Sequence, residues 1–204
     1  MSSACVVCML VQGNAQENKK NELGLLLGAI VTPTLTTAGP APTQIEVSPG
    51  ITFQLNYARR LWLTRSAGLY LEIPALAIPL QEIRATNTSV PKNYDSFFVT
   101  PSLRVQLAPR NRISPWFSVG GGYALFDESV ERLNGTHNIT RGTSGGAVQF
   151  GGGLDLRTPI QLLFPIGVRM EVRDLYTAKP NYNVETGSGF QHNLVFSGGL
   201  VLRF

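Results

Sequence analysis

Cysteine, histidine and long apolar runs are all scarce in this sequence, and each scarcity closes off a class of protein. The two cysteines, Cys5 and Cys8, both fall in the first eight residues. The rest of the chain therefore holds no disulfide framework, and this CxxC has no second pair or histidine cluster to complete a metal or redox site. Only His137 and His192 are available as imidazole ligands or bases. Charges or Pro/Gly breaks interrupt every apolar stretch well short of the ~20 residues that a membrane-spanning helix needs. Charged residues make up 15% of the 204 positions, with a net charge of +4 and a pI near 9.3. The arginines nevertheless alternate within extended segments or sit in turns, so the basic stripe of a nucleic-acid-binding surface is missing. Glycine runs such as Gly120-Gly121-Gly122 and Gly151-Gly152-Gly153 lack the strand-to-helix setting of a phosphate loop. No cofactor is called for.

What is present is alternation. The last nine residues, FSGGLVLRF, set Phe196, Leu200, Leu202 and Phe204 against Ser197, Gly199, Val201 and Arg203. One face is apolar and the other small or polar, as in a strand with lipid on one side and a lumen on the other. The same period of two recurs eight times: about 22–31, 47–60, 66–78, 97–107, 116–126, 147–157, 165–175 and 192–204. Mean hydropathy is only +0.05, which a barrel tolerates because every second residue is apolar. The expected fold is all-β, an eight-stranded antiparallel transmembrane up-and-down barrel. Pro74, which cannot donate to a ladder, predicts a bulge or the upper end of the third strand.

Connection lengths read long, short, long, short, long, short, long. The short ones centre on residues 61–65, 109–112 and 158–160; the long ones hold 33–44, 79–95, 127–146 and 177–191. Outer-membrane barrels have short periplasmic turns and longer outer loops, so both barrel termini are expected in the periplasm, with four loops facing the medium. Trp62, Trp116, Phe164 and Phe204 are expected in the periplasmic aromatic girdle. Residues 1–15 read as a signal-peptide-like segment, with an h-region from Ala4 to Val11 and small residues at Gly13-Asn14-Ala15, although no Lys or Arg precedes it. Residues 16–22 read as a short lead and 23–204 as the barrel.

On strand number, loop asymmetry, the Arg169-x-Glu171-x-Arg173 pattern and the terminal aromatic, the chain resembles the small eight-stranded outer-membrane barrels of the OmpA and OmpX type, over roughly Leu23 to Phe204. The resemblance implies a Gram-negative outer-membrane location, contact with outer-membrane lipid and lipopolysaccharide, and passage through periplasmic chaperones and the barrel-assembly machinery. In that family the last strand is the assembly signal, a role that falls here to Phe196, Leu200, Leu202 and Phe204. Gly198 interrupts the apolar row, and Leu202 stands where an aromatic is common.

Chemistry is concentrated on the expected lumen face. Glu72, Arg104, Asp155, Arg157, Arg169, Glu171, Arg173 and Arg203 point into a space that eight strands leave just wide enough for side chains to fill. Paired carboxylates and guanidinium groups are the expected solution, because isolated buried charge is costly. Other inward positions read as Gly, Ser, Thr and Gln, with Leu26 and Val195 as apolar exceptions. The expected role is envelope structure, or surface interaction with an unidentified ligand through the four loops. The alternatives are a narrow porin-like channel or carrier for small, even apolar, solutes, and an outer-leaflet lipid enzyme using His192 with Asp95 and Ser96. Asp127, Glu128 and Glu131 are a candidate cation cluster. Tyr94, Tyr176, Tyr182 and Phe190 are candidate surface contacts.

Overall fold

The computed structural model describes residues 19–36, 44–139, 141–161, 164–184 and 189–204. The signal-like segment and both cysteines lie outside the described residues. No described helix is long and apolar enough to cross a membrane; the long elements are strands. They are β1 (Asn21–Val31), β2 (Leu35–Thr36), β3 (Gln44–Val47), β4 (Gly50–Leu63), β5 (Ala67–Ala85), β6 (Asn93–Val99), β7 (Ser102–Leu107), β8 (Ile113–Glu128), β9 (Thr143–Gln161), β10 (Pro165–Ala178) and β11 (Phe190–Arg203).

Neighbouring strands pair antiparallel in chain order, and β1 pairs with both β4 and β11, which closes the sheet on itself. The barrel has eight staves because β6 and β7 share one, each lying between β5 and β8. The small strands β2 and β3 extend the upper part of β5 through Ile45↔Ala85 and Val47↔Ile83. Alternation sorts each residue to a wall: on β1, Leu27 is 61% exposed and Leu26 3%. Glycine lets staves approach closely at two inward positions. A Cβ on Gly122 would sit 1.9 Å from the Val99 carbonyl oxygen, and one on Gly199 would sit 2.0 Å from that of Leu25.

Several expectations change. Pro74 lies in the middle of β5, in register opposite Asn56, and marks neither a bulge nor the strand's end. Its effect falls on the next stave, where the ladder is interrupted at Thr100-Pro101 between β6 and β7. Thr100 donates to the Pro74 carbonyl at 3.2 Å and Gly121 to that of Pro101 at 3.1 Å. Neither proline has an N–H to return the bond. The real irregularity of β5 is higher, between Ile78 and Gln81. Strands also run further than the alternation alone suggested. The first short connection shrinks to 64–66, because Thr64 pairs with Ala67 through both its backbone and its hydroxyl. β5 likewise continues to Ala85, so much of the second long connection is strand.

The interior has two layers. Towards the end that carries the short turns, the lumen is polar and charged. Towards the other end it is apolar: Ile30, Leu76, Ile78, Phe98, Phe126 and Leu175 form one buried cluster with Val195. The expectation of a mainly polar lumen, with Leu26 and Val195 as exceptions, is therefore corrected at this end. Residues brought in from the long connections, including Ile45, Val90 and Tyr182, roof this layer.

Candidate functional site

Every stave sends a polar side chain into the charged layer. Arg169 on β10 grips Asp155 on β9 with both ends of its fork, Nε to Oδ1 at 2.7 Å and Nη2 to Oδ2 at 2.9 Å. It also donates to Glu72 on β5 at 3.2 Å and to Glu22 on β1 at 3.3 Å. Arg173, further up the same face of β10, donates to Glu171 at 2.5 and 3.1 Å and to Glu72 at 3.1 Å. Arg203 on β11 joins Glu22 at 3.1 Å to Asp155 at 2.9 Å. Arg104 on β7 closes on Glu22. Gln54 on β4 reaches Glu171 at 2.5 Å, and Gln106 on β7 reaches Asp155 at 3.2 Å.

Four guanidinium groups thus meet four carboxylates, all buried. Balance and bidentate geometry are what make such a density of charge tolerable away from water. Trp116 on β8 belongs to this layer and not to the girdle expected for it. It is 3% exposed, donates Nε1–H to Asp155 at 3.2 Å, and has the guanidinium carbons of Arg104, Arg169 and Arg173 at 5.7, 5.2 and 5.3 Å from its ring. Parity decides this: Phe117 faces out, so Trp116 faces in. Tyr70 adds a second ring, 4.5 Å from Arg104.

Arg157 stands apart from the other seven residues read as a lumen network. It is half-buried near the short-turn mouth and donates to the Pro109 carbonyl. Glu22, which was not among those eight, is the hub of the network. Strand parity carried the signal, since Glu22 shares the inward register of Gly24, Leu26 and Gly28.

At the other end, Glu128 holds two connections together. Its buried carboxylate accepts from Gly142 N at 2.7 Å, Thr143 Oγ1 at 2.8 Å and Asn181 N at 3.1 Å. Next to Asn181, Tyr182 enters the barrel and packs edge-on against Tyr94, which packs against Phe126. Burial pushes the Tyr182 phenol well above its ordinary pKa. Tyr94 and Tyr182 are therefore interior residues rather than surface contacts. The candidate cation cluster also dissolves: Asp127 faces outward to Arg141 while Glu128 faces inward, and no metal-ligand group of three occurs among the described residues. His192 bonds Asp174 at 2.7 Å and lies 4.8 Å from the Tyr176 ring. Asp95 instead stands opposite Asp127 on β8, several staves away, and Ser96 is turned inward.

No family model matches the chain, and no curated protein matches it in sequence. Solved structures do match. The outer membrane protein OprG from Pseudomonas aeruginosa superposes with a TM-score of 0.55 at 12% identity, covering 91% of this chain and 96% of that one. The outer membrane protein AlkL gives 0.52 at 14%, covering 92% and 91%. Neisserial surface protein A gives 0.51 at 9%, covering 89% and 97%. The chain has the fold of the small eight-stranded outer-membrane β-barrels. In such a barrel the outward apolar residues form the lipid-facing band. Trp62, Phe164 and Phe204 lie exposed at its short-turn edge, the last two rings 5.7 Å apart. At the opposite edge of the barrel, Tyr176 stacks on Phe190 at 5.0 Å. Phe196, Leu200 and Phe204 of the last stave face outward with Leu202 between them, half-buried.

Proposed function

We propose that this protein resides in the bacterial outer membrane with its short turns and both barrel termini in the periplasm, and that it is a closed barrel acting at the cell surface through its long connections. The observation that carries this reading is the ion network, which together with the hydrogen bonds of Gln54 and Trp116 ties all eight staves across the lumen and leaves solutes no simple path. Non-catalytic action is part of the reading: Asp95 and Ser96 sit on a stave distant from His192. The test is conductance. The refolded protein in planar bilayers should give no channel steps and no flux of small ions or sugars from loaded vesicles. Steady wild-type conductance would overturn it.

A second reading, a carrier for small apolar solutes, is favoured by one observation. The apolar layer lies directly behind the irregular part of β5, where a recess of about 380 Å³ is lined by Ile78, Pro79, Phe97 and Phe126, with Asp95, Ser96 and Asp127 also in its wall. Uptake of a small hydrocarbon by cells expressing the protein, without ion conductance, would favour this carrier over the closed barrel.

A further inference from the structure

The charge at the two ends of the barrel is unequal. Lys19 and Lys20 precede β1, Arg59 and Arg60 lie near the end of β4, Arg65 occupies the first turn, and Arg110 and Arg112 the second. Among the described residues, this end presents no Asp or Glu side chain to solvent, because Glu22 is turned into the lumen. The other end is mixed, with Glu46, Glu82, Asp95, Asp127 and Glu131 interspersed among Arg84, Lys92, Arg132, Arg141 and Lys179. The cations are distributed along successive staves, which does not suit a single compact protein footprint. They also adjoin an exposed apolar belt formed by Trp62, Ile113, Ile160, Phe164 and Phe204. Lys19 bridges the two, with Nζ 5.5 Å from the centre of the Phe164 ring. A basic collar above an aromatic belt matches the level at which phosphates lie over acyl chains.

We infer that the short-turn end is a collar that selects anionic phospholipid headgroups from the surrounding leaflet. In the orientation proposed above, that leaflet is the periplasmic one. Long basic side chains extend along apolar surface to reach phosphate, and each cation held near an anionic lipid surface contributes measurably to binding. Zwitterionic lipid offers no net charge to match.

Trp62 reports on the collar directly. It is 58% exposed at this edge, whereas Trp116, the other tryptophan, is sealed in the lumen. The full chain is reconstituted in phosphatidylcholine vesicles containing a small fraction of either brominated phosphatidylglycerol or brominated phosphatidylcholine, with a Trp62→Phe variant supplying the Trp116 background. Quenching of Trp62 should favour the anionic lipid about fivefold. The preference should collapse in 1 M salt, where the Debye length is about 3 Å, and in an Arg59→Gln, Arg65→Gln, Arg112→Gln variant. If that variant does not fold, the salt titration of the wild type and the single Arg65→Gln variant carry the test. Equal quenching by both lipids overturns the inference; a preference that the variants leave intact overturns it too. Orientation is read separately, with an Arg65→Cys variant and a membrane-impermeant maleimide. Labelling on intact cells would overturn the proposed orientation without touching the quenching result.

Discussion

Glu22 shows how much of this barrel's stability depends on single buried atoms. One carboxylate, 5% exposed, receives Arg104, Arg169 and Arg203, so it joins four staves at the seam where the first and last strands meet. Removing its charge would leave three guanidinium groups sharing the remaining carboxylates. Glu22→Gln is nearly isosteric, so the loss is electrostatic rather than steric. Breaking a buried pair costs on the order of 3–5 kcal/mol. The expected outcome is a clear fall in the urea midpoint of the refolded protein, read by Trp116 fluorescence; an unchanged midpoint would show that Asp155 and Glu72 can carry the arginines alone. Arg157→Gln is the contrast. Among the described residues the hydrogen-bond partner of its side chain is one backbone carbonyl near solvent, and its midpoint should move far less.

Among the elements, the long connections differ from ordinary surface loops in being fastened from within. Glu128 ends β8 and takes two backbone N–H groups and one hydroxyl from two different connections. Asn183 adds a bond to Asn138 at 2.9 Å, so the third and fourth long connections are tied to each other as well. Between these ties, Tyr182 is inserted as a plug over the apolar layer. In Glu128→Ala the 179–184 segment loses its carboxylate anchor and keeps only the weaker ties to Thr143 and Asn138, while the ladders below are untouched. Limited proteolysis of folded protein should then cut near Lys179 or Arg141 much faster than in the wild type, with the heat-modifiable gel shift of the barrel retained. Cutting at the wild-type rate would mean that Tyr182 packing and the bonds of Asn181 to Thr143 and Asn183 to Asn138 hold the roof without Glu128.

For the whole molecule, the two interior layers are not two folding units. Each long stave passes through both, and ladder pairing is continuous around the circumference, so the layers share their backbone hydrogen bonds. Unfolding should therefore be one cooperative event. In a Trp62→Phe variant, Trp116 fluorescence from the charged layer and gel mobility from the whole barrel should give coincident urea transitions; separated transitions would show that the apolar layer melts by itself.

The amino-acid sequence by itself determined the walls of this protein. A strand repeats every two residues, so parity alone sorts Leu27 from Leu26 and Phe117 from Trp116, and it placed Arg104, Asp155, Arg169, Glu171, Arg173 and Arg203 on one face. The same rule sets Glu22 inside and Trp116 out of the girdle; expectations about an aromatic edge and a short lead ran against it at those two positions. Tertiary structure decided everything that depends on depth and on closure. Which arginine meets which carboxylate follows from the stagger of the staves, and one chain's alternation carries no record of its neighbours' register. Pro74 acts across the ladder on Thr100, a relation that exists only once the strands are paired. The apolar roof depends on Val90 and Tyr182 folding back from connections, where no periodicity marks a side chain for burial, and on Ile45 of the short β3, whose two-residue alternation reads as roof only once β3 pairs with β5.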